Sequence, residues 1–277
     1  MNTTKLTFHI GLVITMLMAI MTSVRADNNL TYTKIDKDGS AGEVQKMMIR
    51  AGKMRIDLPG GQTAMIYDSV ADKVYILEMG SKKYITMDPA MMKQMMAALT
   101  AMKSQLEAKL ASMPEAQRAQ MKAMMSKMGL GGGKAAVVKR VETGRMEKVG
   151  DYQAEVIEVT EDGVKAITYY LVDRKSLKVG DAEYATMHKF QAFLGKMMES
   201  LPGPMKQSMK VRMLLAERNQ LPVKADRFEN GVIMRTDQLT EVSSEDLDPG
   251  LFQIPADFQK RELPFGPGGL PARAGGR

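Results

Sequence analysis

Hydrophobic and polar residues alternate along much of the chain with the period of two that is typical of β-strands. Six short segments of this kind lie between residues 30 and 88, separated by turns rich in Asp and Gly. Three more lie between residues 136 and 172, and two flank Glu229-Asn230-Gly231, which is a strong hairpin signal. Strands that recur about every ten residues predict an antiparallel meander.

Residues 88–128 change to a helical period and contain ten of the 28 methionines. Asp88 is a good N-cap and Pro89 suits the first helical position. A second start is predicted by the capping box at residues 112–115, and a stop by Gly129. We therefore expect a helical hairpin inserted in the sheet at residues 88–128. A second helical stretch is predicted at residues 181–217, with a break at Pro202-Gly203-Pro204.

The first helix of the insert presents a methionine-rich face. At 100° per residue its apolar side chains fall within an arc about 120° wide. These side chains are Met92, Met95, Met96, Leu99, Met102, Leu106 and Leu110. Lys103 projects into the same arc and makes the stripe imperfect. A face of this kind must be buried, so it predicts either core packing or a cover over a ligand.

The first 26 residues are predicted to be a cleaved secretory signal peptide. Lys5 precedes a short apolar run at residues 10–21, and Val24-Arg25-Ala26 places small residues at the −3 and −1 positions of a cleavage site. The run is too short for a membrane-spanning helix, which needs about 20 residues. No cysteine is present to carry an acyl anchor, so we expect a soluble protein of the periplasm.

The rest of the chain is long enough to bury one core without disulfides. We expect a single domain at residues 27–256 that contains both helical stretches. Residues 257–277 are rich in Pro, Gly and Arg and are predicted to be a disordered tail.

The chain carries a formal net charge of +7, and basic residues outnumber acidic ones in the methionine-rich insert. A helix with an apolar stripe and a basic back suits transient contact with an anionic membrane surface, although a solvated basic face is commoner. Nucleic acid is not an expected partner, because no aromatic residues alternate with the basic ones. We expect a monomer.

Enzymatic chemistry has little support in the sequence. There is no Cys and no G-x-S-x-G elbow, and the only histidine after the signal peptide is His188. One histidine without cysteine does not supply a zinc or iron site. We therefore expect a protein that is not an enzyme and carries no cofactor.

Short motifs in the strand segments carry a family resemblance. They are Lys53-Met54-Arg55-Ile56-Asp57, Ile66-Tyr67-Asp68, Val74-Tyr75, Tyr169-Tyr170-Leu171-Val172-Asp173, Leu221-Pro222-Val223-Lys224 and Leu251-Phe252-Gln253-Ile254-Pro255. Together they resemble the LolA/LolB-like periplasmic carriers, and within that superfamily an exported bacterial family of unknown function. The resemblance covers nearly the whole mature chain. It implies a bent antiparallel sheet with helices over its mouth and a cavity for a hydrophobic ligand.

Pattern and resemblance together predict an α+β fold in which a strongly bent antiparallel sheet, an open half-barrel, is covered by a helical lid. We expect a carrier that holds a lipid, an acyl-type ligand or a lipid-bearing partner between sheet and helices. Methionine suits such a surface, because its flexible chain repacks around different shapes. The predicted ligand-binding residues are Met92, Met95, Met96, Leu99, Met102, Leu106, Met121, Met124, Met125, Met128, Phe190, Leu194, Met197 and Met198.

Two other interpretations of the methionines stay open. Thioethers are soft ligands that suit Cu(I) or Ag(I), and adjacent turns of one helix face can present several of them. The residues for such a metal site are Met92, Met95, Met96, Met121, Met124 and Met125. The methionines are also a candidate oxidation sink, because Met sulfoxide forms reversibly. Methionine also occurs in the strand segments, at Met47, Met54, Met65, Met79 and Met234, which favours a packing role over either.

Overall fold

A computed structural model describes residues 27–115, 117–118, 137–199 and 218–262. Within these ranges the fold is one large open sheet with two α-helices and two 3₁₀ helices. The strands are β1 (Asp27–Asp36), β2 (Ala41–Arg50), β3 (Lys53–Asp57), β4 (Thr63–Asp68), β5 (Lys73–Glu78), β6 (Lys83–Met87), β7 (Val138–Val149), β8 (Tyr152–Glu161), β9 (Val164–Asp173), β10 (Gln220–Glu229), β11 (Val232–Glu245) and β12 (Gln259–Lys260). The α-helices are α1 (Pro89–Ser112) and α2 (Asp181–Glu199), and the 3₁₀ helices cover Arg174–Leu177 and Pro249–Phe252.

The sheet consists of two antiparallel meanders joined by their longest strands. Its order is β12-β6-β5-β4-β3-β2-β1-β11-β10-β9-β8-β7, so β12 and β7 are its edges and it does not close. The predicted strands are confirmed, since all eleven appear as β1 to β11. The junction is the pairing of β1 with β11, which runs from Asp27↔Glu245 to Asp36↔Arg235. This ladder extends both strands beyond the ranges that alternation alone predicted.

The hairpin between β10 and β11 follows from its sequence. Asn230 and Gly231 have φ angles of 52° and 78°, the left-handed values that a two-residue I′ turn requires. Asn and Gly are the residues that adopt these angles at least cost. The predicted hairpin is therefore confirmed.

Helix α1 begins where its capping signal predicted. The Asp88 side chain accepts a hydrogen bond from the Met91 backbone nitrogen at 2.8 Å, and Pro89 occupies the first turn. The helix ends at Ser112, after which Met113 is extended. The second helix of the predicted hairpin lies almost entirely outside the described residues, and so does the helix predicted at residues 205–217.

Helix α2 packs against β2 and β3 and contributes to the principal hydrophobic core. Tyr67 of β4 contacts two of its rings, Phe190 at 5.2 Å and Phe193 at 5.6 Å between centroids. Phe193 is 1% exposed. The same cluster contains Leu30 and Leu221, so it lies where the two meanders meet.

The sheet continues past residue 256, where the sequence analysis ended the domain. Gln259 and Lys260 pair in parallel with Lys83 and Tyr84 of β6, which makes the sheet mixed and moves the boundary at least to residue 262. Residues 263–277 and the predicted signal peptide lie outside the described residues. Neither described helix combines the length and the apolar character that crossing a membrane requires.

Candidate functional site

A cavity of about 610 Å³ lies at the junction of the two meanders. Strands β1, β2, β9, β10 and β11 supply most of its wall, and α2 closes one side with Met187 and Gln191. Its volume falls in the range of small-molecule sites, about 300–1,000 Å³. The junction therefore has room for a ligand.

The end of the cavity nearest the core combines three apolar side chains with the amides of Gln191 and Gln220. Met47, Met187 and Leu221 line it, and all three belong to or pack against the principal core cluster. Met187 is 8% exposed and Leu221 is 4% exposed. A ligand here would contact aliphatic and thioether side chains that already exclude water.

The opposite end of the cavity is charged. Lys34 lies directly opposite Asp237 in the β1–β11 ladder, and Arg227 lies directly opposite Arg235 in the β10–β11 ladder. Partners in a ladder share one face of the sheet, and all four side chains line the cavity. Glu43 of β2 joins them.

One carboxylate holds both arginines. Arg227 Nε donates to Asp237 Oδ2 at 3.2 Å, and Arg235 Nε donates to Asp237 Oδ1 at 2.6 Å. Lys34 is paired with Asp36 at 3.1 Å. Two guanidinium groups therefore share a single carboxylate at this end of the cavity, whereas Lys34 has a carboxylate partner of its own.

Tyr32 forms part of the cavity wall between these two ends. Its hydroxyl donates to the Pro222 backbone oxygen at 3.0 Å, which joins β1 to β10 across the intervening β11. Burial raises the pKa of Tyr32 well above its ordinary value, so the hydroxyl stays neutral. The hydrogen bond to Pro222 thus holds the ring in the wall of the site.

A second, smaller cavity of about 90 Å³ lies between α1 and the β5–β6 hairpin. Methionines Met87, Met91, Met92 and Met95 line it together with Ile76 and Ile85. Its described lining is entirely apolar. The methionine-rich face of α1 therefore packs on the sheet through at least its first two turns.

The predicted binding residues fall into three groups: those on α1 whose side chains are described, those on α2 whose side chains are described, and those outside the description. Met92 is buried at 6% exposure, Met95 lines the small cavity and Leu106 is half-buried. Of the α2 residues, Phe190, Leu194 and Met197 are half-buried and pack against the principal core. Met96, Leu99, Met102 and Met198 lie in the helices, but their side chains are outside the described structure, as are residues Met121, Met124, Met125 and Met128 entirely.

The residues around the 610 Å³ cavity were missed by the sequence analysis. Lys34, Arg227, Arg235 and Asp237 occupy alternate positions of strands, where charged residues usually face solvent. The β10–β11 hairpin brings the two arginines and Asp237 together, and the pairing of β1 with β11 adds Lys34. The sequence contains one relevant signal, the recurrence of charged residues on one face near the ends of three strands. This signal indicates a shared site only when the order of the strands is known.

The described residues contain no cluster of three or more His, Cys, Asp or Glu side chains that could hold a metal ion. His188 is half-buried on α2, where its ring meets Tyr184 edge-on at 4.6 Å.

Comparison with known proteins leaves the family open. No protein-family model and no curated protein matches the chain. An uncharacterised conserved protein from Thermus thermophilus matches with a TM-score of 0.40 and 8% identity, over 90% of this chain and 98% of that one. A structure of PNGF-II matches with a TM-score of 0.37 and 10% identity, over 85% of this chain but only 31% of that protein. These likenesses carry no functional argument, and they do not bear on the resemblance to LolA/LolB-like carriers.

Proposed function

We propose that this protein is a binding or carrier protein, and not an enzyme, that holds a hydrophobic ligand of lipid or acyl type between the sheet and α2. The observation that carries the proposal is the 610 Å³ cavity, whose inner end is lined by Met47, Met187 and Leu221. Small-molecule sites combine apolar side chains with polar groups that fix the orientation of the ligand, and this cavity has both.

In this proposal the sheet bends around the cavity as a half-barrel and the helices act as its lid. The packing of α2 on β2 and β3 and the contact of α1 methionines with the β5–β6 hairpin support it. The signal peptide predicted at residues 1–26 supports action in the periplasm.

The cavity is tested by filling it from one strand. Gln45 lines the cavity, whereas its neighbour Val44 is 43% exposed and is not part of the described lining. Adjacent strand residues point to opposite faces, so Gln45→Trp places an indole in the cavity and Val44→Trp places it outside. Binding of an uncharged fluorescent fatty-acyl probe should weaken about tenfold, a change of about 1.4 kcal/mol, in Gln45→Trp. It should stay within about twofold in Val44→Trp.

Two results would overturn this proposal. One is a parent protein that binds no acyl probe, and the other is equal binding by both tryptophan variants. Circular dichroism of each variant establishes that the sheet remains folded.

Cu(I) binding is a second candidate, because four methionines surround the small cavity at α1. Replacement of Met87, Met91, Met92 and Met95 by Leu keeps the volume nearly constant but removes every thioether from the described lining of this cavity. Tight, stoichiometric Cu(I) binding by the parent that is lost in this variant would support the metal site. The carrier proposal expects no tight Cu(I) site and acyl binding that survives within about tenfold.

A further inference from the structure

The 610 Å³ cavity is amphipathic along its length. Strand β10 shows this directly, because Leu221 lines the cavity beside the core and Arg227 lines it six residues further on. At about 3.3 Å per residue this separation is about 20 Å. A ligand that lies along β10 would have one end against apolar side chains and the other against guanidinium groups.

The charged end is suited to an anion. Arg227 and Arg235 are both paired with the single carboxylate of Asp237. In the part of the chain that the structure describes, Arg227 donates only through Nε, which leaves its terminal nitrogens for another acceptor. Three basic and two acidic side chains line the cavity, and one of the basic ones, Lys34, is paired with Asp36.

We propose that the ligand is an anionic amphiphile whose carboxylate or phosphate head is bound at Arg227 and Arg235, with its apolar chain directed toward Met187 and Leu221. This inference rests on the proposed function and adds the head-group chemistry and the orientation. Guanidinium binds carboxylate and phosphate through paired, charge-assisted hydrogen bonds. Asp237 holds the two arginines in place, and its single charge leaves them attractive to a second anion.

The test uses calorimetric titration of the mature protein with four ligands that share a dodecyl chain. Dodecanoate and dodecyl phosphate carry the two candidate heads, the glycerol ester of dodecanoic acid is uncharged, and dodecyltrimethylammonium is cationic. Both anions should bind about tenfold or more tightly than the ester. The tighter of the two anions identifies a fatty acid or a phosphorylated lipid as the class of ligand.

Substitutions at the charged end test whether the preference for anions over the uncharged ester arises there. Arg227→Gln leaves Asp237 paired with Arg235 and should remove most of the anion preference. Asp237→Asn should increase it, because two guanidinium groups then lack their carboxylate. The matched control is Arg145→Gln. Arg145 lies on β7, outside the described lining of the cavity, and is paired with Glu158 of β8 at 2.9 Å.

The outcomes separate the two proposals. Equal binding of anions and ester, or a preference unchanged by Arg227→Gln, overturns the orientation and leaves the carrier function standing. Absence of binding for all four amphiphiles overturns both. Opposite effects of Arg227→Gln and Asp237→Asn on the anions, with no effect on the ester, support the inference.

Discussion

At the scale of single residues, Arg174 positions the helix beside the cavity, although no sequence motif singled it out. It is 8% exposed, and it donates to Asn219 Oδ1 and to the Val179 backbone oxygen, each at 2.8 Å. It also pairs with Asp181, the first residue of α2, and lies over the Tyr184 ring at 4.9 Å. One guanidinium group therefore joins the end of β9, the start of α2 and the chain that enters β10.

Replacement of Arg174 by Lys should destabilise the protein by about 3 kcal/mol. Lysine keeps the charge but cannot reproduce the planar fork, and each hydrogen bond to a charged group is worth about 1.5–3 kcal/mol. The measurement is the free energy of unfolding in urea. The matched control, Arg145→Lys on the exposed face of β7, should change it by about 0.5 kcal/mol or less. Equal effects of the two substitutions would contradict the role assigned to Arg174.

At the scale of elements, local signals were sufficient for most strands and for α1. The Asn230-Gly231 turn and the Asp88-Pro89 start act within a few residues, so they can be predicted from sequence. The pairing of β1 with β11 depends on residues about two hundred positions apart, and no local signal specifies it. β12 is short and lies in a Pro- and Gly-rich segment, so its parallel pairing with β6 has no periodic signature.

The cap of α1 makes an element-scale prediction. Asp88→Ala removes the acceptor for the Met91 backbone N–H and should lower the stability of the first turn of α1 by about 1 kcal/mol. Asp88→Asn keeps an acceptor of similar capping strength, so its loss should be smaller and limited to the charge–dipole interaction. Hydrogen exchange of the amides at residues 91–95 measures both. Equal acceleration by Ala and Asn would show that the cap hydrogen bond contributes little.

At the scale of the whole molecule, the sequence predicted an open sheet with helices but not the location of the 610 Å³ cavity. Methionine density drew attention to α1, and the methionines seen there pack on the β5–β6 hairpin. The 610 Å³ cavity lies instead at the β1–β11 junction, where half of the lining is polar. Binary patterning cannot distinguish a polar residue that faces a cavity from one that faces solvent, because both occupy the same alternate positions.

The pH dependence of global stability is predicted from Tyr67, which joins the sheet to α2. Tyr67 is 2% exposed and packs on Phe190 and Phe193. Burial, followed by the nearby carboxylate of Asp72, raises the pKa of Tyr67 from its ordinary value of 10.0 to about 12. Between these values the unfolded chain ionises this tyrosine while the folded chain resists ionisation.

The contribution of Tyr67 to the free energy of unfolding should therefore be fully present below pH 10. It should fall as the pH rises from 10 toward 12, because the folded state then holds more protons than the unfolded state. The contribution lost from Tyr67 alone is about 1.4 kcal/mol by pH 11. Tyr67→Phe keeps the ring contacts and has no group to ionise, so its free energy of unfolding should fall by about that much less between pH 9 and pH 11. Tyr32 and Tyr170 are half-buried with raised pKa values and remain in both proteins, so the difference between the two proteins isolates Tyr67. Parallel pH profiles for the two proteins would mean that Tyr67 ionises no less readily in the folded chain than in the unfolded one, and that the sheet–α2 contact does not exclude water.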